Sequence, residues 1–370
     1  MSNQNSLKIG MPSHSIIRYY VSSALFPFYG HTYVGSDYLE IPFNLKLYKD
    51  IFLAAKISIE EFMKYQNYKI DIPASGNDKN ILNEVKIKLG LNEKASFMDA
   101  FKKYTVILDS INLEEIQSSL YPFYEQKGFS PPSILNIELY GYTRGPFFQF
   151  GYKKEFKLSL HQMMLSLAGY VISRCLRVKI NDEYITMFAF PPSANHINKL
   201  FATQISILRE KRLISIEPVE ALILWLLFDP SIKYNLYLVG MKDPKVQKPA
   251  EVTIETILPL ETIFNRAKDI IEYIINNEYL KKHALDLIKE ATKSAVKEKK
   301  GHEEEIVIQD AVRYVKLLFL AIQNSEKEIR ELLLQSSRNI IHENLIQDKV
   351  RTNIAKKARD LAESIMKYFK

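Results

Sequence analysis

Apolar residues at helical spacing characterise the first 130 residues of the chain. Positions at three- and four-residue steps predict a first helix: Ile16, Tyr19, Tyr20, Ala24 and Leu25. Pro27 ends this predicted helix. Two further helices are predicted over residues 45–66 and 77–90. The glycine and prolines of residues 128–132 then mark a loop and a candidate boundary near residue 130.

Beyond that boundary, apolar and polar residues alternate in short runs, which predicts strands mixed with helices. The predicted strands cover residues 134–142 and 147–156, a hairpin over 175–190, and 234–240. The predicted helices cover residues 160–174, 195–211 and 218–228. Residues 131–250 therefore form a mixed region of strands and helices.

Strand patterns disappear after residue 260, and helical periodicity takes over. Five helices are predicted, over residues 261–279, 281–299, 304–323, 325–341 and 343–369. The helix at 304–323 is apolar almost all round, as a central helix of a bundle would be. We expect an α+β fold with a mixed N-terminal domain, 1–255, and an all-helical C-terminal bundle, 256–370.

Composition supports a folded chain with a large core and no disulfide. Hydrophobic residues make up 47% of the 370 residues, with 20 Phe and 22 Tyr, which argues against whole-chain disorder. Cys175 is the only cysteine, so an intramolecular disulfide is impossible and a reducing cytoplasm is expected. No secretory signal is evident, and the longest apolar run, residues 221–228, is too short to span a bilayer. We expect no membrane partner.

Positive charge is concentrated in the middle of the chain. The net charge is +7, and residues 131–250 carry 15 basic and 9 acidic side chains. Residues 1–130 are balanced, with 14 of each sign. An uneven basic field attracts polyanions, of which nucleic acid is the commonest. The alternative is a surface kept soluble by scattered lysines.

Motifs for catalysis or cofactor binding are missing from the sequence. None of the seven histidines pairs with another at the spacing of metal ligands, and one cysteine is too few for a zinc site of the Cys–His type. With 12 glycines, the chain shows neither a P-loop nor a dinucleotide fingerprint, and no serine nucleophile elbow is present. We expect no enzyme, no metal and no cofactor.

A proline-braced run of lysines follows the predicted strand at 234–240. Lys242, Lys245 and Lys248 stand at steps of three, among Pro244 and Pro249. In an extended chain such residues lie roughly 10 Å apart, and they can contact successive phosphates. The prolines limit the conformational freedom that binding would remove. We expect the chain to leave the sheet after its glycine and to be exposed, although an ordinary solvated loop is equally consistent.

Two further stretches combine features of nucleic-acid binding. One interleaves rings and cations, and its candidate contacts are Arg144, Phe148, Lys153 and Lys154. An aromatic hairpin that fills a core is the alternative. The other lies at the end of the predicted helix over 195–211, with candidates Arg209, Lys211 and Arg212. Cations at that position also suit the helix dipole without any ligand.

Three blocks together resemble a known family. They are "SHSIIRYYVSSALFPFYGHTYVGSDYLEI" at 13–41, "YNLYLVGMKDPKVQKPAEV" at 234–252, and the helical C-terminal end. They resemble the large subunit of archaeal type I-A CRISPR effector complexes, which are Cascade-like. The resemblance implies a non-enzymatic subunit that helps recognise the motif flanking target DNA and supports strand opening, while guide RNA reads the sequence. It also implies partners: crRNA-guided backbone and small subunits, helicase and nuclease subunits, and target DNA.

Two other functions stay open at this point. One is a protein-interaction scaffold that makes no direct contact with nucleic acid. The other is a metal-dependent nuclease whose carboxylates are dispersed in the sequence, for instance Asp37, Asp109 and Asp229. Nothing in the sequence brings these acids together.

Overall fold

A computed structural model shows a largely helical α+β protein. It describes residues 6–10, 16–26, 33–34, 38–42, 45–72, 74, 76, 78–121, 128–135, 157–180, 183–192, 199–210, 215–229, 234–242, 251–295, 302–323, 327–343 and 349–369. The strands are β1 (Ser6–Gly10), β2 (Tyr33–Val34), β3 (Tyr38–Pro42), β4 (Arg174–Ile180), β5 (Glu183–Phe190), β6 (Leu236–Lys242) and β7 (Glu251–Leu258).

The helices occupy most of the remaining described residues. They are α1 (Ile16–Ala24), α2 (Leu45–Gln66), α3 (Asp78–Leu89), α4 (Phe97–Ile107), α5 (Leu113–Leu120), α6 (Leu160–Ser173), α7 (Lys199–Glu210), α8 (Val219–Leu227), α9 (Leu260–Asn276), α10 (Glu278–Ala291), α11 (His302–Gln323), α12 (Lys327–Glu343) and α13 (Lys349–Tyr368). Short 3₁₀ turns lie at Ser133–Leu135 and Thr292–Ala295.

The chain divides into two compact units. The N-terminal unit comprises Met1–Leu176, Thr186–Arg212 and Tyr237–Thr256, and the C-terminal unit comprises Arg177–Ile185, Leu213–Leu236 and Ile257–Lys370. The sequence-based division places residues 213–236 with the N-terminal domain. In the structure their contacts group them with the C-terminal helices, because the apolar helix α8 packs against α9, α10 and α11.

Helix α6 forms the centre of the N-terminal unit. All of its side chains are buried, and it packs against α1, α2, α4, α5 and α7. A capping box starts it: Ser159 Oγ accepts from the backbone N–H of Gln162, and the Gln162 side chain accepts from the backbone N–H of Ser159. The uniform apolar run after this cap predicts a buried helix, and the structure confirms it.

Two small sheets complete the described structure. Strands β1, β3 and β2 pair in that order and antiparallel, with Leu7 opposite Ile41 and Ile9 opposite Leu39, all four buried. The second sheet has the order β4-β5-β6-β7. It includes the predicted hairpin over 175–190. It also includes β7, a strand that was not predicted from the sequence.

The C-terminal unit is a helical bundle, as predicted. Helix α11 contacts α8, α9, α10, α12 and α13, so the helix predicted over 304–323 does lie centrally. Ion pairs connect α13 to its neighbours: Arg351 to Asp310 at 2.6 Å and Lys357 to Asp286 at 2.7 Å. The apolar stripe of α13, including Ile354, Leu361 and Ile365, is buried. This bundle follows from 3.6-residue periodicity alone.

The prediction of a strand over residues 134–142 is wrong for its first two residues. Ile134 and Leu135 lie in a 3₁₀ turn, and the preceding Ser133 is held to the start of α3. The Ser133 backbone N–H and hydroxyl both donate to the Asp78 carboxylate, at 2.9 and 2.5 Å. The rest of that prediction, and the strand predicted over 147–156, lie outside the described residues.

Candidate nucleic-acid interface

Strands β6 and β7 position the first lysine of the predicted trio. Lys242 is the last residue of β6 and is half-buried. Across the strand pair, Thr253 Oγ1 donates to the Gly240 carbonyl at 3.3 Å, and Tyr237 donates to the Glu255 carboxylate at 2.5 Å. Gly240, late in β6, faces Thr253, early in β7, whereas the earlier Tyr237 faces the later Glu255. The two strands are therefore antiparallel. By sequence, the residues between 242 and 251 connect them.

The chain stays in the sheet two residues longer than predicted. Gly240 does not end β6, because Met241 follows it into the core, with 3% of its surface exposed. The Tyr20 hydroxyl contacts the Met241 sulfur at 3.7 Å, which fixes that side chain in the N-terminal unit. The prediction that the chain leaves the sheet after Gly240 is therefore wrong, because the last residue of the strand is Lys242. Lys245 and Lys248 lie outside the described residues.

The second predicted stretch falls wholly outside the described residues. This applies to Arg144, Phe148, Lys153 and Lys154, whose role in nucleic-acid contact stays a prediction. The same applies to Lys211 and Arg212 of the third stretch.

Arg209 is engaged inside the protein. Its side chain is 3% exposed, and its guanidinium donates to the Arg174 carbonyl at 2.8 Å, the Ile172 carbonyl at 2.5 Å and the Glu61 carboxylate at 2.7 Å. Burial lowers the pKa of Arg209, and the Glu61 carboxylate opposes that shift. We therefore withdraw Arg209 from the predicted nucleic-acid contacts; it joins α7 to α2 and to the end of α6.

A sequence signal for this burial exists in hindsight. Ile205 and Leu208 lie on the buried face of α7, and Arg209 follows Ile205 by four residues, which is one turn of the same face. Its acceptor Glu61 lies 148 residues earlier in the chain. Only the fold brings the two together, so the spacing indicates a buried position but not the partner.

Charge differs between the two units. The N-terminal unit contains 26 basic and 20 acidic residues by sequence, and the C-terminal unit contains 24 and 23. Many cations of the C-terminal unit face a carboxylate: besides Arg351 and Lys357, Arg338 pairs with Glu363 at 3.1 Å and Arg359 with Asp360 at 2.9 Å. The surplus of six positive charges belongs to the unit that holds the β6–β7 strand pair.

The dispersed carboxylates are not assembled into a metal site within the described residues. Asp109 is exposed and forms an ion pair with Lys49, while Asp37 lies outside the described part. No group of three or more potential metal ligands occurs among the residues that the structure covers. Cys175 is buried, and burial raises the pKa of its thiol to about 12, as expected for a packing residue.

Comparison of the sequence with models of known protein families shows which family the chain belongs to. A family model described as "CRISPR-associated protein, CsaX" matches residues 43–340, which is well over half of the chain. The chain belongs to this CsaX family. Membership assigns it to CRISPR defence, in partnership with other CRISPR components. Comparison with curated proteins and with solved structures gives no significant match.

The CsaX match includes the β6–β7 strand pair and most of the helices of both units. It ends before α13, the last helix of the C-terminal bundle. Among the described helices, none has the length and apolar character needed to cross a bilayer.

Proposed function

We propose that this CsaX protein is a non-catalytic, nucleic-acid-binding large subunit of a type I-A CRISPR interference complex. In that role it contributes to recognition of the motif flanking the target and to opening of the DNA strands. Its partners are the crRNA-guided backbone and small subunits, the helicase and nuclease subunits, and the target DNA. Family membership supports the CRISPR context. The resemblance of the three sequence blocks supports the finer assignment.

The observation that carries the proposal is the position of Lys242. The residue ends β6 directly before a sequence segment that contains Lys245, Lys248 and two prolines, and β7 begins after that segment. Cross-strand hydrogen bonds hold both strands, so the sheet fixes the residues that precede and follow the cationic segment in the sequence. An anchored segment loses less conformational entropy on binding than a free one. The positive surplus of the N-terminal unit adds long-range attraction for phosphate.

Lysines of this kind would contribute affinity for DNA but not sequence specificity. They bind phosphates as point charges and do not contact base edges, so they would hold the duplex while other contacts or pairing with the guide RNA recognise the target sequence. A subunit of this kind raises the affinity of a complex for DNA without a catalytic group. The proposal therefore assigns the lysines to backbone contact and leaves target identity to the guide RNA.

Binding measured at several salt concentrations tests the proposal. The probe is a fluorescently labelled DNA duplex with an unpaired arm, titrated with the protein alone and with the complex assembled around it. Phosphate contacts release counterions, so the logarithm of the binding constant is expected to fall steeply and linearly with the logarithm of the salt concentration. An affinity that does not change with salt contradicts direct phosphate contact.

One observation favours a scaffold function as a second candidate. Helix α2 exposes three apolar side chains, Leu53, Ile57 and Met63, which are 54%, 47% and 51% accessible. Exposed apolar side chains on one helix are typical of protein contact surfaces. Substitution of all three by serine should reduce recovery of the protein with the other CRISPR subunits if α2 is such a contact. Unchanged recovery would contradict this second function.

A further inference from the structure

A tyrosine and an arginine face each other on the β4–β5 pair. The Arg177 guanidinium lies 4.0 Å from the centroid of the Tyr184 ring, a close cation–π contact. Tyr184 remains 52% exposed, although one face of its ring is covered by the cation. Both residues belong to the short segment Arg177–Ile185 of the C-terminal unit.

A second cation shares this face of the strand. Side chains alternate along a strand, so Lys179 points to the same side as Arg177. Burial agrees with this alternation: Val178 between them is buried, whereas Arg177 and Lys179 are half-buried. The outer part of the β4–β5 pair therefore combines one exposed ring and two cations.

Core packing does not account for Tyr184. The tyrosines that serve the core, such as Tyr20, Tyr48 and Tyr104, are fully buried and contact other aromatic rings. Tyr184 instead keeps half of its surface in solvent and has a guanidinium against its ring. A ring that is held by a cation and keeps half of its surface in solvent can accept a second planar group on that exposed surface.

We propose that Arg177 and Tyr184 form a stacking site for an unpaired base of a nucleic-acid strand, with Lys179 contacting a neighbouring phosphate. This inference rests on the proposed nucleic-acid function and adds a site to it. An unpaired base is the ligand that fits, because its π-face is free, whereas bases within a duplex are stacked on each other. Stacking of this kind is tolerant of sequence, as required for a strand displaced during target opening.

The test compares single-stranded and duplex probes of equal length. Tyr184→Ala is expected to weaken binding of a labelled oligothymidylate roughly ten-fold, since stacked bases depend on the ring, and to leave blunt duplex binding nearly unchanged. Tyr184→Phe keeps the ring and should bind like the wild type. Tyr121→Ala serves as the matched control, because Tyr121 is also exposed but packs edge-on against another tyrosine, Tyr38.

Photocrosslinking supplies a readout that does not depend on a variant. An oligonucleotide with photoactivatable thymines should crosslink to the peptide that contains Tyr184. Wild-type affinity of Tyr184→Ala for the single strand, or crosslinks confined to other peptides, would overturn the inference. If the wild type binds neither probe in a salt-dependent manner, the proposed function itself fails, so the two failures are distinguishable.

Discussion

A Cβ atom built on Gly169 would lie 1.7 Å from the carbonyl oxygen of Tyr20. The backbones of α6 and α1 therefore approach so closely that only a hydrogen fits between them. Tyr20 is fully buried, and its ring packs against Tyr170, Phe188 and Phe190. This contact fixes the position of α1 in the core of the N-terminal unit.

Gly169→Ala should destabilise the protein. Helix propensity alone favours alanine over glycine by about 1 kcal/mol. The obstructing atom is backbone, however, and it cannot rotate away, so an overpacking cost of about 3 kcal/mol should leave a net loss of about 2 kcal/mol. Denaturant unfolding followed by circular dichroism measures the difference. A variant as stable as the wild type, or more stable, would show that α1 and α6 can separate without cost.

Arg209→Ala should lower stability strongly, through interior contacts rather than through nucleic-acid binding. Removal of the guanidinium takes the donor from two carbonyls and the cationic partner from the Glu61 carboxylate, which within the described residues keeps only the Ser206 hydroxyl; we expect this to cost roughly 3–5 kcal/mol. Glu61→Gln keeps a hydrogen-bond acceptor and should cost less. The free energy of unfolding is measured for each variant and for the pair. A stable Arg209→Ala variant that has lost affinity for DNA would contradict the interior role.

Acid should destabilise the fold through His161. The side chain is buried, the Tyr104 hydroxyl lies 2.5 Å from its Nδ1 atom, and the Glu115 carboxylate lies 3.8 Å from Nε2. Burial lowers the pKa of His161, and Glu115 only partly opposes the shift. In the unfolded chain the imidazole takes up a proton near its ordinary pKa of about 6.5. The stabilisation is thus complete above that pH and is lost as the pH falls towards the lower folded pKa.

His161→Gln removes the titrating group and retains a hydrogen-bond partner for Tyr104. The free energy of unfolding of the wild type should decline more steeply than that of this variant as the pH falls below about 6.5. Denaturant curves at several pH values, with both proteins in the same buffers, measure the two slopes. Parallel curves would contradict the assignment of this acid sensitivity to His161.

Regular periodicity made most helices predictable. The range predicted for α2, residues 45–66, coincides with Leu45–Gln66, and three of the five C-terminal helices lie within a few residues of their predicted ranges. The other two are shorter than predicted: α10 ends at Ala291 and not at residue 299, and α13 begins at Lys349 and not at residue 343. Each of these helices has one apolar stripe that must be buried, so pattern and structure follow from the same cause. The strand β7 was not predicted, although Val252 and Ile254 alternate with Thr253 and Glu255 as in an ordinary strand; it forms one edge of its sheet.

The candidate site was less predictable because its contacts join distant residues. The glycine at 240 suggested the end of a strand, but Tyr20 and the core hold Met241 in place, which no local pattern encodes. In the same way, nothing near Arg209 in the sequence indicates Glu61. Of the ten predicted contact residues, only Lys242 and Arg209 lie in the described part of the chain. Lys242 is kept as a candidate contact and Arg209 is withdrawn, while the other eight stay predictions.

The most direct test of the phosphate-contact hypothesis replaces the lysine trio. Lys242, Lys245 and Lys248 are changed together to alanine, and binding to a duplex with an unpaired arm is measured at increasing salt with the partner subunits present. The matched control changes Lys282, Lys289 and Lys316, which are exposed lysines of the C-terminal unit, and therefore removes the same charge. The melting temperature is recorded for each protein, and we expect it to stay nearly constant.

If the trio contacts phosphates, its loss should weaken binding and reduce the salt slope by about 2–3, one contact for each lysine, while the control changes the slope little. Equal slopes and affinities for the wild type, the trio variant and the control would contradict the central claim that this segment binds the sugar-phosphate backbone.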